Sequence, residues 1–333
     1  MRKFFEMMTK PIAVLTALVL VVTVNGILFY FYHSRTSPAT TDPSEVAKDV
    51  SAEIDEASIR EHLDHLTGAS PVSLKGGNKT IISERGSEKG RKAAAEYMRK
   101  SFEEAGVPAR ILEFTPGGER GYNVEATLEG SKGEKHLWVT AHLDSVGNAG
   151  ANDNASGLVL LLLSARALEG LDLQHTVHFV AYDLEESGKV GSIQYVASRV
   201  DPILDRGDEE AIIGNINNDM VGYEENEFNA VISNCEPTGP LGLALVDASS
   251  IVSPRVILDQ RCSDHIRSDS DHAPFLNRGL PAVAVTDSGV GGGYPCYNKP
   301  CDTVDKVNVT YLRSMIELVA TASALLASPE PQQ

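Results

Sequence analysis

From residue 136 to residue 327, short apolar runs alternate with longer segments of helical periodicity, and acids or histidines follow the apolar runs closely. Strands joined through helices lie parallel in a shared sheet, so this alternation constrains the fold more than any other feature. "HLWVTAH" (136–142) reads as a buried strand, and further strands are expected at 175–183, 211–217 and 281–287. "SGLVLLLLSARALEG" is apolar on nearly every face at first, as in a helix packed deep against a sheet. A last helix is expected at about 309–327. Upstream, Ala94, Tyr97, Met98, Phe102 and Ala105 follow helical spacing, and Gly106 suits the end of that helix. The expected fold is an α/β three-layer sandwich around a largely parallel, mixed central sheet.

In such sheets functional groups gather where strands end and loops begin. Four segments fall there. "AHLDSV" brings His142 and Asp144, "GANDNASG" brings Asp153, "AYDLEESGKVGS" brings Glu185 and Glu186, and "INNDMVG" brings Asp219. Singly, each has an ordinary reading: an acid before a helix is an N-cap, and a Glu pair in a loop is solvated. Converging at one sheet edge, their carboxylates repel one another, and a bound cation relieves that repulsion. Imidazole with carboxylates is the donor set expected of Zn²⁺.

The N-terminus is different material. Arg2, Lys3 and Lys10 precede the uncharged run Pro11–Tyr32, long enough as a helix to span about 30 Å of hydrocarbon. The expected organisation is a cytoplasmic N-terminus (1–10), a transmembrane signal anchor (11–32), a flexible tether (33–50) and an extracytoplasmic domain (51–333). The alternative is a secreted domain released by signal cleavage, although no Ala-x-Ala site follows the run. A net charge of −17 argues against a nucleic-acid partner. Cys296 and Cys301, flanking "YNKP", could close a small loop in an oxidising compartment, which spacing alone does not establish. Cys235 and Cys262 either pair or stay as buried thiols. His175 and His178 read as structural, His272 as part of a pocket wall, and nothing in the spacing of His265 requires it as a ligand.

In this order and context the segments resemble the co-catalytic zinc aminopeptidases, metallopeptidase family twenty-eight. The resemblance covers roughly residues 88–325 and continues into "SDHAPFLNRGLPAV" and "CYNKPCDT". It implies an α/β fold with two zinc ions: His142 and Asp219 on one, Glu186 on the other, Asp153 bridging both. It further implies Glu185 as general base, Asp144 behind His142 fixing its tautomer, and Tyr297 as donor to the oxyanion of the tetrahedral intermediate. A Cys296–Cys301 bridge is implied as well.

One position departs from the pattern. The family has a His after Tyr297 as the last ligand of the second zinc, and this chain has Asn298, with Cys296, Tyr297, Cys301, Asp302 and Thr303 all in place. An amide oxygen is a weak ligand for zinc. The expectation is one tightly bound Zn²⁺, with the second site weak, empty or holding another divalent metal. The expected activity is a zinc-dependent aminopeptidase acting on peptides with a free N-terminus. The other reading is a catalytically inactive peptidase fold that binds a peptide or partner at the membrane surface; retention of Glu185 and Glu186 speaks against it.

Overall fold

The computed structural model describes residues 42–74, 79–224, 228–233, 239–252, 255–261, 268–287 and 293–328. Two strands, β1 (Val72–Ser73) and β2 (Lys79–Thr80), form a small ribbon. The others are β3 (Ala109–Phe114), β4 (Gly121–Leu128), β5 (His136–His142), β6 (Thr176–Tyr182), β7 (Ile212–Asn218), β8 (Asn229–Ser233), β9 (Ile257–Arg261) and β10 (Ala282–Thr286). They build one eight-stranded sheet in the order β3-β4-β6-β5-β7-β10-β8-β9. The four central strands β6, β5, β7 and β10 run parallel, as the alternation predicts. The flanks do not. β3 and β4 are antiparallel because only the short turn 115–120 joins them, and β4 meets β6, and β8 meets β10, antiparallel.

The main helices are α1 (Pro43–Ala52), α2 (Glu56–Leu66), α3 (Glu88–Glu104), α4 (Ser156–Glu169), α5 (Val190–Tyr195), α6 (Pro240–Ile251) and α7 (Val309–Ala327). The period-two alternation of β5 divides the core. Leu137, Val139 and Ala141 face the large cluster under α1–α4, α6 and α7, whereas Trp138 faces a smaller one with Val180, Tyr182, Tyr195 and Phe275. The sandwich thus has three layers, one thick with long helices and one thin, made of α5 and short turns. Leu158 through Leu163 of α4 are all buried, because this helix lies between the sheet and α7. Each such side chain contributes about 1.5–3 kcal/mol.

Helix boundaries follow local chemistry. The Ser87 hydroxyl accepts from the Gly90 N–H at the start of α3, and Gly106, at φ +87°, turns the chain after its end. α7 is 19 residues long and apolar enough to cross a membrane, yet 78% of its window is buried within the domain, where it packs on α4, α6 and α1.

The tether expected at 33–50 needs correcting. Residues 43–50 belong to α1, capped by the Asp42 carboxylate on the Ser44 N–H at 2.9 Å. Val46, Ala47 and Val50 form an apolar stripe that buries against α4, α6 and α7, so this segment is part of the domain despite its polar composition. The anchor (11–32) and residues 33–41 lie outside the described residues.

Candidate metal centre

β5 is the switch point of the sheet. The chain leaves it through α4 to β6 on one side, then passes through α5 to β7 on the other. A crevice opens at the carboxyl ends of the strands at such a point. Parallel register sets the ends level: His142 pairs with Tyr182, and Thr140 pairs with Asn217, two residues short of Asp219. Glu185 and Glu186 follow β6 by three and four residues. Asp153 precedes α4 in a turn, Ala151–Ala155, that is buried throughout and contains a cis Asp153–Asn154 peptide.

These elements bring three of the expected residues into one group. His142 Nε2 lies 3.0 Å from Asp153 Oδ1 and 3.2 Å from Asp219 Oδ1, and the ligand atoms of all three lie within 4.8 Å of one another. Supporting groups hold them there. Asp302 accepts from the Asn152 and Asp153 N–H groups at 2.8 and 3.0 Å, and from the Tyr294 hydroxyl at 2.6 Å. The Ser270 hydroxyl donates to Asp219 Oδ2 at 2.6 Å and accepts from Asn217 at 2.9 Å. Leu184 (φ +60°) and Met220 (φ +56°), the neighbours of Glu185 and Asp219, adopt the left-handed conformation rare for such side chains.

Asp144 lies beside His142 and also reaches a second partner. Its side chain is 3.6 Å from His142 Nδ1, while its own backbone carbonyl is 3.2 Å away. The carboxylate also receives the Glu185 and Glu186 N–H groups at 3.0 and 3.1 Å. Asp144 therefore holds the Glu pair with its side chain and meets His142 through both carboxylate and backbone carbonyl.

The electrostatics are those of buried carboxylates crowded around one imidazole. Burial pushes Glu185 up to about 9 and Glu186 up to about 7; repulsion from other carboxylates adds to both, and the His142 imidazole relieves them in part. Burial likewise raises Asp153 and brings Asp271, enclosed behind the site, to about 7. Burial alone would lower His142, but Asp219 and the other carboxylates raise it well above the ordinary imidazole value. Glu186 Oε1 is buried with no hydrogen-bond partner among the described residues. An orphaned carboxylate oxygen beside an imidazole and two further carboxylates fits a divalent cation.

Tyr297 is half-exposed; burial, then Asp153, Asp219 and the Glu pair, push its hydroxyl up to about 12. Asn298 is exposed at φ +54°, a conformation Asn tolerates. Cys296 and Cys301 are joined by a disulfide. His178 stacks on Trp138 with ring centroids 5.2 Å apart, away from the centre, and His272 is fully buried beside Ser270 and Asp271. Cys235, Cys262 and His265 lie outside the described residues. Sequence reasoning missed Arg85. It met Ser270, Asp271 and Asp302 only as letters in matching motifs, because a residue that supports a ligand through one hydrogen bond has no periodicity or spacing of its own.

The family model of Peptidase family M28 matches residues 123–323, a stretch that includes every expected ligand. The chain belongs to peptidase family M28. Membership places it among metallopeptidases, which are hydrolases. Leupeptin-inactivating enzyme 1 of Streptomyces exfoliatus is 29% identical over 320 residues, covering 90% of this chain and 68% of that protein. Aminopeptidase YwaD of Bacillus subtilis is 29% identical over 195 residues, covering 56% of this chain and 40% of that protein. Among solved structures, the zinc aminopeptidase BSAP of Bacillus subtilis superposes with a TM-score of 0.69 at 15% identity, over 83% of this chain and 96% of that one. The last likeness bears on fold alone and agrees with the mixed sheet and its flanking helices.

Proposed function

We propose that this M28 chain is a zinc-dependent aminopeptidase with Glu185 as its general base. The observation that carries the reading is the meeting of His142, Asp153 and Asp219 at ligand spacing, with the Glu185–Glu186 loop held against them by Asp144. A divalent cation, when bound by His142, Asp153 and Asp219, supplies Lewis acidity that acidifies water and polarises a carbonyl. Glu185 takes the proton of the attacking water on its carboxylate and delivers it to the leaving amine. Burial and the neighbouring carboxylates push Glu185 up, and a cation bound beside it would favour the ionised form that accepts this proton. The Tyr297 hydroxyl, kept protonated, donates to the developing oxyanion.

Asn298 bears on the second site. With the amide in place of imidazole, Asp153 and Glu186 leave an oxygen-only donor set, which binds zinc loosely and favours a harder cation. Asn298 also favours the second reading, a peptidase fold that binds without cleaving. The apolar run 11–32 supports placement of the domain outside the cytoplasm on a membrane anchor. Protease added to intact cells would digest the domain if so and spare it otherwise.

The deciding experiment counts zinc in the purified full-length chain and assays aminoacyl-anilide hydrolysis beside Glu185→Gln. Chelator-sensitive cleavage that Glu185→Gln lowers by ~10²–10⁴, with zinc content unchanged, supports the reading. Absence of turnover with Zn²⁺, Mn²⁺ or Co²⁺ favours the binding protein.

A further inference from the structure

Arg85 is fully buried, and no carboxylate among the described residues pairs with it directly. Its guanidinium is instead caged by carbonyl oxygens. Nε donates to Leu143 O at 2.8 Å, Nη1 to Leu66 O at 2.8 Å and Ala149 O at 2.7 Å, and Nη2 to Gly150 O at 2.9 Å. Three of these four carbonyls belong to one loop. Leu143 directly follows His142, and Gly150 lies three residues before Asp153. The fourth, Leu66 O, ends α2, where helix carbonyls lack partners and favour a cation. The backbone of Arg85 joins the same loop: its N–H donates to Ser145 Oγ at 3.1 Å, and its carbonyl accepts from the Ser145 N–H at 3.3 Å.

This arrangement costs the desolvation of a guanidinium, which depresses its pKa against the opposing pull of Asp302, Asp144 and Asp153. Mere filling of this space would be met more cheaply by an apolar side chain. A planar fork with several fixed donors is required only if carbonyls from separate parts of a loop are to be held together.

We propose that Arg85 is the positioning residue of the metal centre: it clasps both ends of the 143–150 loop and so sets the spacing of His142 and Asp153 before a cation binds. The inference rests on the metal-centre reading above. Lysine keeps the charge but offers no fork, so Arg85→Lys separates clasp from charge.

The test strips the full-length chain of metal and titrates Zn²⁺ alone against a chromophoric chelator, with unfolding temperature recorded in parallel. Arg85→Lys is expected to weaken zinc binding ~10–100-fold, as loss of a supporting contact does in other metal sites. A purely structural arginine would lower the unfolding temperature and leave the Kd unchanged; a folded Arg85→Lys within about twofold of wild type overturns the proposal. Should Arg85→Lys fail to fold, Ser145→Ala loosens the same clasp with the guanidinium in place. A Kd raised about threefold or more then supports the proposal, and a smaller change overturns it. Wild type that binds zinc without cleaving any peptide defeats the aminopeptidase reading alone. Wild type that cleaves peptides while Arg85→Lys keeps its zinc affinity defeats this inference alone.

Discussion

Asp144 accepts the backbone N–H of Glu185 at 3.0 Å through one carboxylate oxygen and gives the other to the adjacent Glu186 N–H at 3.1 Å. The strand-end loop of β5 thereby fixes the strand-end loop of β6, and the proposed general base is oriented by a group outside the proposed ligand set. Asn at this position offers one acceptor and turns an NH₂ toward the second N–H. Asp144→Asn is expected to lower kcat by ~10–100-fold with smaller change in KM, measured by steady-state anilide hydrolysis at saturating zinc. An unchanged kcat would show that the Glu pair holds its place without Asp144.

Asn298→His tests the proposal of a weak second site. Restoring imidazole is expected to raise zinc content from about one to about two per chain and to increase kcat/KM. Metal analysis beside kinetics gives both numbers. Unchanged stoichiometry would mean that residue 298 stands out of reach of Glu186 and Asp153.

Chelation should destabilise the domain. Asp153, Asp219 and Glu186 crowd carboxylates around His142 at the strand ends, and a cation that binds only the folded chain stabilises it by about 2.7 kcal/mol at a hundredfold excess over Kd. Calorimetry with and without chelator reads this directly. Equal unfolding temperatures would argue that no cation is held there.

Acid should unfold the domain through groups away from the centre. Burial alone would raise Glu125, but hydrogen bonds from His178, Tyr195 and Arg110 outweigh it and hold the carboxyl near 2, against an ordinary 4.5. A carboxyl depressed in the fold stabilises it above its unfolded pKa, and that contribution is lost as pH falls from about 4.5 toward 2. His62, beside the Tyr97 hydroxyl, is held down to about 4 by burial and by His65 and Arg166. It must stay neutral in the fold, so its contribution is complete above 6.5 and lost between 6.5 and 4. Urea unfolding of Glu125→Gln should therefore lie below wild type at pH 7 by a few kcal/mol, since tenfold tighter proton release is worth on the order of 1.4 kcal/mol. The gap should close near pH 2. A gap that persists there would trace the loss to packing.

Two leucines in helices of the same layer should behave oppositely. Leu161 in α4 is fully buried, and Leu161→Ala should cost ~2–5 kcal/mol in urea unfolding. Leu243 in α6 is 48% exposed, and Leu243→Ala should stay within about 0.5 kcal/mol. Similar losses at both would mean that the exposed face of α6 is covered in solution.

The strands that carry the centre are legible in the sequence because burial on both faces writes itself into composition: 136–142 is marked to the residue, and α7 at both ends. His142, Asp153 and Asp219 can be nominated because each follows or precedes such an element directly. The antiparallel flanks are not legible, since strand direction depends on which strand lies beside which, and that is a property of the assembled sheet. α1 is hidden by Pro43, Ser44 and its acids, which resemble a linker until Val46, Ala47 and Val50 are seen to share one face. Arg85 is hidden for another reason: its partners are backbone carbonyls, which every residue carries.

The level ends of β5, β6 and β7 also determine where this chain can change length. β5 is hydrogen-bonded along both edges, so its register cannot drift independently. Deleting one residue between Trp138 and His142 would draw the imidazole back by about 3.3 Å or turn it to the opposite face. The linkers at the other ends of these strands, 129–135 and 170–175, carry no such penalty. Insertions and deletions compatible with the centre should accumulate there, leaving the distance from each strand's last residue to its ligand unaltered.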